Sequence, residues 1–302
     1  MKQNKILPVL TVPVLLLLTG TIASLTISKR WSFEISSYVI FLFTAIYILI
    51  FEQIIPLKTD WKIKRDNLAT DIKHFIFSTA LFDALGKTIS LSFVLYLQQN
   101  FFKPSEIWGD VPFVLTFIVA NIIGEFLPYF YHRISHVGNH DSFLSVLLWK
   151  IHSIHHLPTS LNWFKTNWIH PINIFLNTVF KMTPLLLLGF NEDIIFLVGV
   201  AHVVIAYISH ANIKTKTGFL DYLIVTPQVH HFHHSKLLHE AKNYGNIFPY
   251  WDLVFGTYYN RKGEVDNVGV IENHITYPKK ENYIRQLLFP FKRVCRECCQ
   301  VK

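Results

Sequence analysis

The sequence predicts an all-α protein of multi-span integral membrane helices that carries a cytoplasm-facing, histidine-rich di-metal cap. Three observations predict it. The 302 residues are 51% hydrophobic and only 16% charged, whereas a soluble domain carries about 25% charged residues; the mean hydropathy is +0.31. Apolar runs long enough to cross hydrocarbon recur along the chain. Thirteen of the sixteen histidines crowd between His132 and His234, beside the ends of those runs.

Taken in order, the first element is the run from Leu7 to Ile27, almost wholly apolar and long enough to span. Lys2 and Lys5 before it, with Ala23 and Ser24 near its end, also fit a signal peptide. The run exceeds a usual signal core and a second follows closely, which favours an anchor helix. The second is Tyr38 to Ile55. Phe75 to Leu97 is a weaker span, interrupted by Asp83 and Lys87. Val111 to Tyr131 is clear, with Glu125 near its end. Ile172 to Phe190 and Ile194 to Ile208 form a hairpin turning at Gly189-Phe190-Asn191-Glu192. The chain thus divides into a membrane-spanning region at 1–110, a histidine-bearing region with membrane helices at 111–260, and a basic, cysteine-containing tail at 261–302. There is no internal repeat and no low-complexity segment.

The net charge is +8, but its basic residues sit in short clusters beside apolar runs (Lys62, Lys64 and Arg65; Arg293 and Arg296), not in a long stripe. Such a pattern excludes a nucleic-acid partner and fits the positive-inside bias of membrane proteins. Before the fourth span one set of loops holds Lys2, Lys5, Lys58, Lys62, Lys64, Arg65 and Lys73; the opposite loops hold only Lys29, Arg30 and Lys103. The first set belongs in the cytoplasm, and the histidine region follows on that side. Cys295, Cys298 and Cys299 all lie in the last eight residues, so no disulfide framework spans the chain. They read as a reducing, cytosol-facing tail; S-palmitoylation beside Arg293 and Arg296 and a metal clip are the alternatives. C-x-x-C-C without a second pair makes a poor structural zinc site.

The chemistry lies in three histidine clusters. His132 and His136 form H-x-x-x-H; His152, His155 and His156 form H-x-x-H-H; His230, His233 and His234 repeat H-x-x-H-H. On a helix, positions i, i+3 and i+4 share a face, with β-carbons about 5–6 Å apart, so each cluster aims its imidazoles at one point. Neutral imidazole binds iron, zinc, copper or nickel. These eight histidines exceed the needs of one tetrahedral ion and suit two ions with open positions. The alternative, ordinary buried histidines, strands many polar rings in an apolar chain at an accumulated cost. His74, His140, His239 and His274 fall outside the pattern and read as exposed or capping residues. His239-Glu240 does not begin a zincin motif, because Asn243 stands where its second histidine belongs.

H-R-x-x-H followed by two H-x-x-H-H motifs resembles the signature of the fatty acid hydroxylase and sterol desaturase superfamily. The flanks resemble it too: Thr226-Pro227-Gln228-Val229 before His230, Asn243-Tyr244-Gly245 after it, the closing segment from Trp251 to Tyr258, and His210-Ala211-Asn212 ahead of the last cluster. The likeness runs from about Glu125 to Tyr259. It implies metal ligation by His132, His136, His152, His155, His156, His210, His230, His233 and His234. His231 stands where relatives often carry arginine and is left out. Some members add a histidine four residues before the position of His210; Ala206 stands there, and His202, two turns before His210, is the candidate instead. His170 before Pro171 resembles a family His-Pro step, although Trp168 replaces the arginine common two residues earlier. Glu125 lies seven residues before His132, where the family often has an acid. It either orients an imidazole or snorkels at a helix end.

The resemblance implies a membrane-bound oxidoreductase with two iron ions, zinc as a substitute, and O2 as co-substrate, hydroxylating or desaturating a lipid substrate (a fatty acyl, sterol or ether lipid). No flavin, haem or iron–sulfur motif is present, so an external electron donor is expected: a b-type cytochrome, ferredoxin or reductase. A membrane metal carrier or sensor using the same histidines is the alternative, but transport sites usually lie near the bilayer midplane on broken helices. A purely structural metal role needs fewer ligands than these.

Overall fold

The computed structural model describes residues 5–63, 65–101, 103, 107–137, 142–271 and 276–292. The architecture is all-helical, and among the described residues the only extended pairings are isolated bridges, Pro56 with Ile213 and Ser235 with Val268. Eleven α-helices are described: α1 (Leu7–Ser28), α2 (Phe33–Ile54), α3 (Arg65–Lys73), α4 (Leu81–Asn100), α5 (Phe113–Val137), α6 (Phe143–His156), α7 (Pro171–Leu187), α8 (Glu192–His210), α9 (Pro227–His233), α10 (Tyr250–Val254) and α11 (Tyr283–Leu288). A π-helical stretch, His74–Ala80, joins α3 to α4 without a break. Five segments are long and apolar enough to cross a membrane: α1, α2, Leu68–Asn100, α5 and α8. The chain is a multi-pass membrane protein.

Local chemistry sets the helix ends. Ser32 caps α2 by accepting from the Ile35 N–H at 3.1 Å, and Asn191 caps α8 in the same way on Ile194 at 3.0 Å. Glu192 and Asp193 follow in the first turn of α8, where the helix dipole favours acids. The α7–α8 turn runs through Gly189 at φ 75°, a left-handed conformation suited to glycine. α7, with 17 residues, is shorter than the span expected from the sequence and is not one of the five membrane-length helices. The weak third span is continuous here: Asp83 pairs with Lys87 at 2.6 Å and accepts from Thr178 of α7 at 2.7 Å, so the charges that interrupt the pattern are partnered.

The loops gather at two ends. At one, Arg30 pairs with Asp193 at 3.3 Å and the Trp108 indole donates to the Leu188 carbonyl at 2.6 Å. At the other, Glu52 accepts from the N–H groups of Trp163 (2.8 Å) and Asn212 (2.9 Å), stitching the end of α2 to the segments around α8's last turn. All three histidine clusters lie at this second end. Residues 276–292 pack there as well, against α6 and the start of the third span: Trp149 donates to the Tyr277 hydroxyl at 3.2 Å and Gln286 bonds His74 at 2.7 Å. His74 is therefore fully buried, contrary to the exposed or capping role expected of it. His239 is exposed as expected. His140, His274, Cys295, Cys298 and Cys299 lie outside the described residues.

Candidate metal centre

Four helices deliver the histidines. α5 continues past the expected end at Tyr131 to Val137 and so carries both His132 and His136. α6 carries His152, His155 and His156 in its last two turns, and α8 places His210 at its final position. Pro171 starts α7 and Pro227 starts α9, where a missing N–H costs nothing; α9 carries His230 and His233, with His234 as its C-cap.

The nine side chains form two groups. His132, His136, His152, His156 and His233 make the first; His155, His210, His230 and His234 make the second, with the ligand atoms of each group within 4.8 Å of one another. The H-x-x-H-H motifs are split: each sends histidines to both groups. The ring centroids of His156 and His234 lie 4.4 Å apart, so the groups adjoin.

In the first group the Nε2 atom of His132 lies 3.0 Å from Nε2 of both His152 and His233, and His152 Nε2 lies 3.0 Å from that of His156. In the second, His210 Nε2 is 3.1 Å from His155 Nε2 and 3.0 Å from His230 Nε2, which is 3.1 Å from His234 Nε2. Backbone carbonyls decide which ring nitrogen keeps its proton. Nδ1 of His132 donates to Tyr244 O at 2.7 Å and Nδ1 of His233 to Lys242 O at 2.7 Å. Nδ1 of His155 donates to Trp168 O at 3.0 Å and Nδ1 of His210 to Ala206 O at 3.1 Å. A neutral ring that donates from Nδ1 offers only a lone pair at Nε2. Each group therefore holds two lone pairs facing each other, His132 with His233 and His155 with His210, an arrangement that repels unless a cation lies between. Two nitrogens bound at right angles to one ion at about 2.1 Å stand about 3.0 Å apart, so the donor set is compatible with a metal ion in each group.

Burial keeps the rings neutral and able to bind. It pushes His155 down to about 4 and, with the neighbouring histidines, holds His152, His156, His230, His233 and His234 well below the usual histidine value. Ligand histidines need this free lone pair at neutral pH.

The other candidates lie elsewhere. His170 caps α7, accepting from the Ile172 N–H at 3.2 Å and donating to Leu287 O at 3.1 Å. His202 bonds Lys181, and Glu125 pairs with Lys181 at 2.5 Å; neither belongs to either histidine group. His231 is buried edge-on against Trp61, centroids 5.4 Å apart, outside both groups.

Sequence reasoning missed the scaffold behind the rings. Asp252 accepts from the Tyr244 and Gly245 N–H groups at 2.7 Å each and from the Thr257 hydroxyl at 2.6 Å, fixing the loop whose carbonyl holds His132. Asn243, at φ 61°, donates to Val229 O and Tyr259 O and accepts from Tyr259 N–H, tying α9 to the closing segment. The aspartate and asparagine were visible as motif residues; the carbonyls have no side-chain signal.

Residues 117–257 match the family described as fatty acid hydroxylase. The chain is 30% identical to the ornithine lipid hydroxylase OlsE of Rhizobium tropici over 270 residues, 86% of this chain and 76% of that protein. It is 25% identical to the alkylglycerol monooxygenase of Homo sapiens over 194 residues and 26% identical to that of Danio rerio over 205 residues. These alignments cover only 39% and 43% of the two monooxygenases. No solved structure matches the chain. The matched region contains all nine grouped histidines, and the likeness to the bacterial hydroxylase extends through most of both chains: this is a membrane oxidoreductase of the fatty acid hydroxylase family.

Proposed function

We propose that the chain is an oxygen-dependent di-iron hydroxylase of a membrane lipid, working at the cytoplasmic face with electrons from an external donor. The observation that supports it most is the pair of opposed Nε2 lone pairs in each histidine group, His132 with His233 and His155 with His210. His132, His136, His152, His156 and His233 would hold one ion; His155, His210, His230 and His234 would hold the other. Five and four nitrogen donors leave positions open around two six-coordinate ions, as oxygen chemistry needs. The chemistry supplied by bound iron is the four-electron reduction of O2, two electrons from the donor and two from a C–H bond, giving an alcohol and water.

The chain's own residues position and protect. The carbonyls of Tyr244, Lys242, Trp168 and Ala206 retain the Nδ1 protons and so hold the Nε2 lone pairs inward. Tyr129, Phe232 and Trp168 are fully buried and exclude water from the cap. The spans present apolar side chains outward, such as Ile118, Ile122 and Phe126 of α5 below its histidines, so a lipid reaches the cap without leaving hydrocarbon. The named relatives act on an ornithine lipid and an alkylglycerol, which supports a substrate with a polar headgroup kept at the interface.

The test is purified protein in lipid with 18O2 and a reductant. Expected are about two transition-metal ions per chain and a lipid carrying the labelled oxygen, with His156→Ala abolishing the product while the protein still inserts. A lipid profile unchanged by active protein across a broad survey would overturn the hydroxylase reading and favour a metal carrier.

A further inference from the structure

Among the buried ionisable side chains that the centre leaves unused, one group lies in the apolar body. Glu125 of α5 is 1% exposed and Lys181 of α7 is 7% exposed. The Lys181 ammonium pairs with Glu125 Oε1 at 2.5 Å and donates to Nδ1 of the half-buried His202 on α8. Ionisable residues at such depth are costly and are kept for function. Close packing was built to admit this one: a β-carbon on Gly124 would stand 3.5 Å from Lys181 Cγ and 3.3 Å from Leu185 Cδ1, so the lysine stem runs along the glycine to reach the acid. The same turn of α5 is held from the closing segment, where Tyr250 donates to Asn121 O and the Trp251 indole donates to Ile122 O at 3.1 Å.

The position of the triad relative to the histidines carries its meaning. Glu125 precedes His132 by seven residues and His202 precedes His210 by eight, which is about 10 Å and about 12 Å along their helices. His132 belongs to the first histidine group and His210 to the second. α5 and α8 therefore each carry a ligand at one end and a partner of Lys181 two turns away.

We propose that Glu125, Lys181 and His202 are positioning residues: an ionic lock that fixes the axial and rotational register of α5 against α8, and so holds the two metal sites in step. Apolar helix faces can repack one ridge over at a neighbouring groove, whereas a buried ion pair is met only where its two charges face each other. Metal sites tolerate about 0.2 Å of error in ligand distance, so small slippage between the two helices weakens a site. This inference rests on the reading of the histidine groups as metal sites, and its test has one arm that needs no metal.

The test compares the native chain with Glu125→Gln/Lys181→Met, which removes both charges together and so avoids a lone buried charge, and with the swap Glu125→Lys/Lys181→Glu, which keeps a bridge. In the metal-free arm, nitroxides are attached at Ile134→Cys and Lys214→Cys, both exposed, in chains lacking the three native cysteines, and the distance between them is measured by pulsed electron resonance. The native chain should give one narrow distribution, the neutral pair a broadened one, and the swap a narrow one again. In the second arm, chelator should strip the neutral pair at least about tenfold faster than the native chain, with the swap in between. A distribution equally narrow in native and neutral proteins, or a swap as broad as the neutral pair, overturns the lock. A native chain that binds no metal while the distances behave as expected would instead sink the metal reading and leave the lock standing.

Discussion

Asp252 belongs to neither histidine group, yet its carboxylate holds the Tyr244 and Gly245 N–H groups and the Thr257 hydroxyl, and the Tyr244 carbonyl orients His132. Asp252→Ala strands two buried N–H donors at about 1–3 kcal/mol each and frees the carbonyl. We expect metal affinity to fall about 10- to 100-fold with insertion intact, measured by metal content after dialysis against a weak chelator; unchanged affinity would mean the loop holds itself. A paired comparison separates ligand from cap. His155→Ala should reduce metal content by about one ion per chain, whereas His170→Ala should leave it unchanged and lower only the unfolding temperature, since His170 caps α7. Eight of the nine grouped histidines were legible in the sequence because helical spacing repeats in side-chain identity, and His210 only through the resemblance of His210-Ala211-Asn212 to the family pattern. Lys181 was not singled out, although a lone cation in an apolar run is itself a signal. His74 was misjudged because its partners, Gln286 and the Ile169 carbonyl, come from distant segments.

At the scale of elements, the apolar runs gave the spans but not their mutual packing. Gly86 shows what hydropathy omits: a β-carbon there would meet Thr178 Cβ at 2.9 Å and the Phe175 carbonyl at 3.3 Å, so α4 and α7 approach backbone to side chain. Gly86→Val should destabilise by about 1–3 kcal/mol through overpacking. Gly199→Ala on α8, where nothing lies within 4 Å of the new methyl, should be neutral or stabilise by up to about 1 kcal/mol. Thermal unfolding in one detergent checks both, and equal shifts would show that the α4–α7 contact is loose. The segment after residue 261 looked like a tail because it is short of apolar runs. Residues 276–292 instead fold onto α6 and the start of α7 through single polar anchors, Tyr277 on Trp149 and Leu287 on His170, and Phe289 packs with Ile154 and Trp168. Such contacts leave no periodic trace.

For the whole molecule, the question is which membrane face bears the centre. Four crossings by α1, α2, the third span and α5, with the shorter α7 and α8 reaching the far end and back, would return the chain to the end at which it began. The contacts agree with that count: Arg30–Asp193 and Trp108–Leu188 gather the loops of one end, while Glu52 joins Trp163 and Asn212 at the other, beside His210. Loop charge then bears on the direction, since Lys58, Lys62, Arg65 and Lys73 lie at the histidine end and, among the described residues, Lys29, Arg30 and Lys103 at the opposite one. By the bias in short loops the richer end is expected in the cytoplasm. In inverted vesicles a membrane-impermeant maleimide should label the native cysteines at 295, 298 and 299. In right-side-out vesicles it should reach only an engineered Lys29→Cys, in the turn after α1. The two positions must label from opposite sides for any such topology, so the experiment checks the crossing number and the direction separately. Labelling of both from one side would mean that one of the five segments between them, α2, the third span, α5, α7 and α8, does not cross; opposite labelling with the sides exchanged would put the centre outside the cytoplasm, away from its expected reductant.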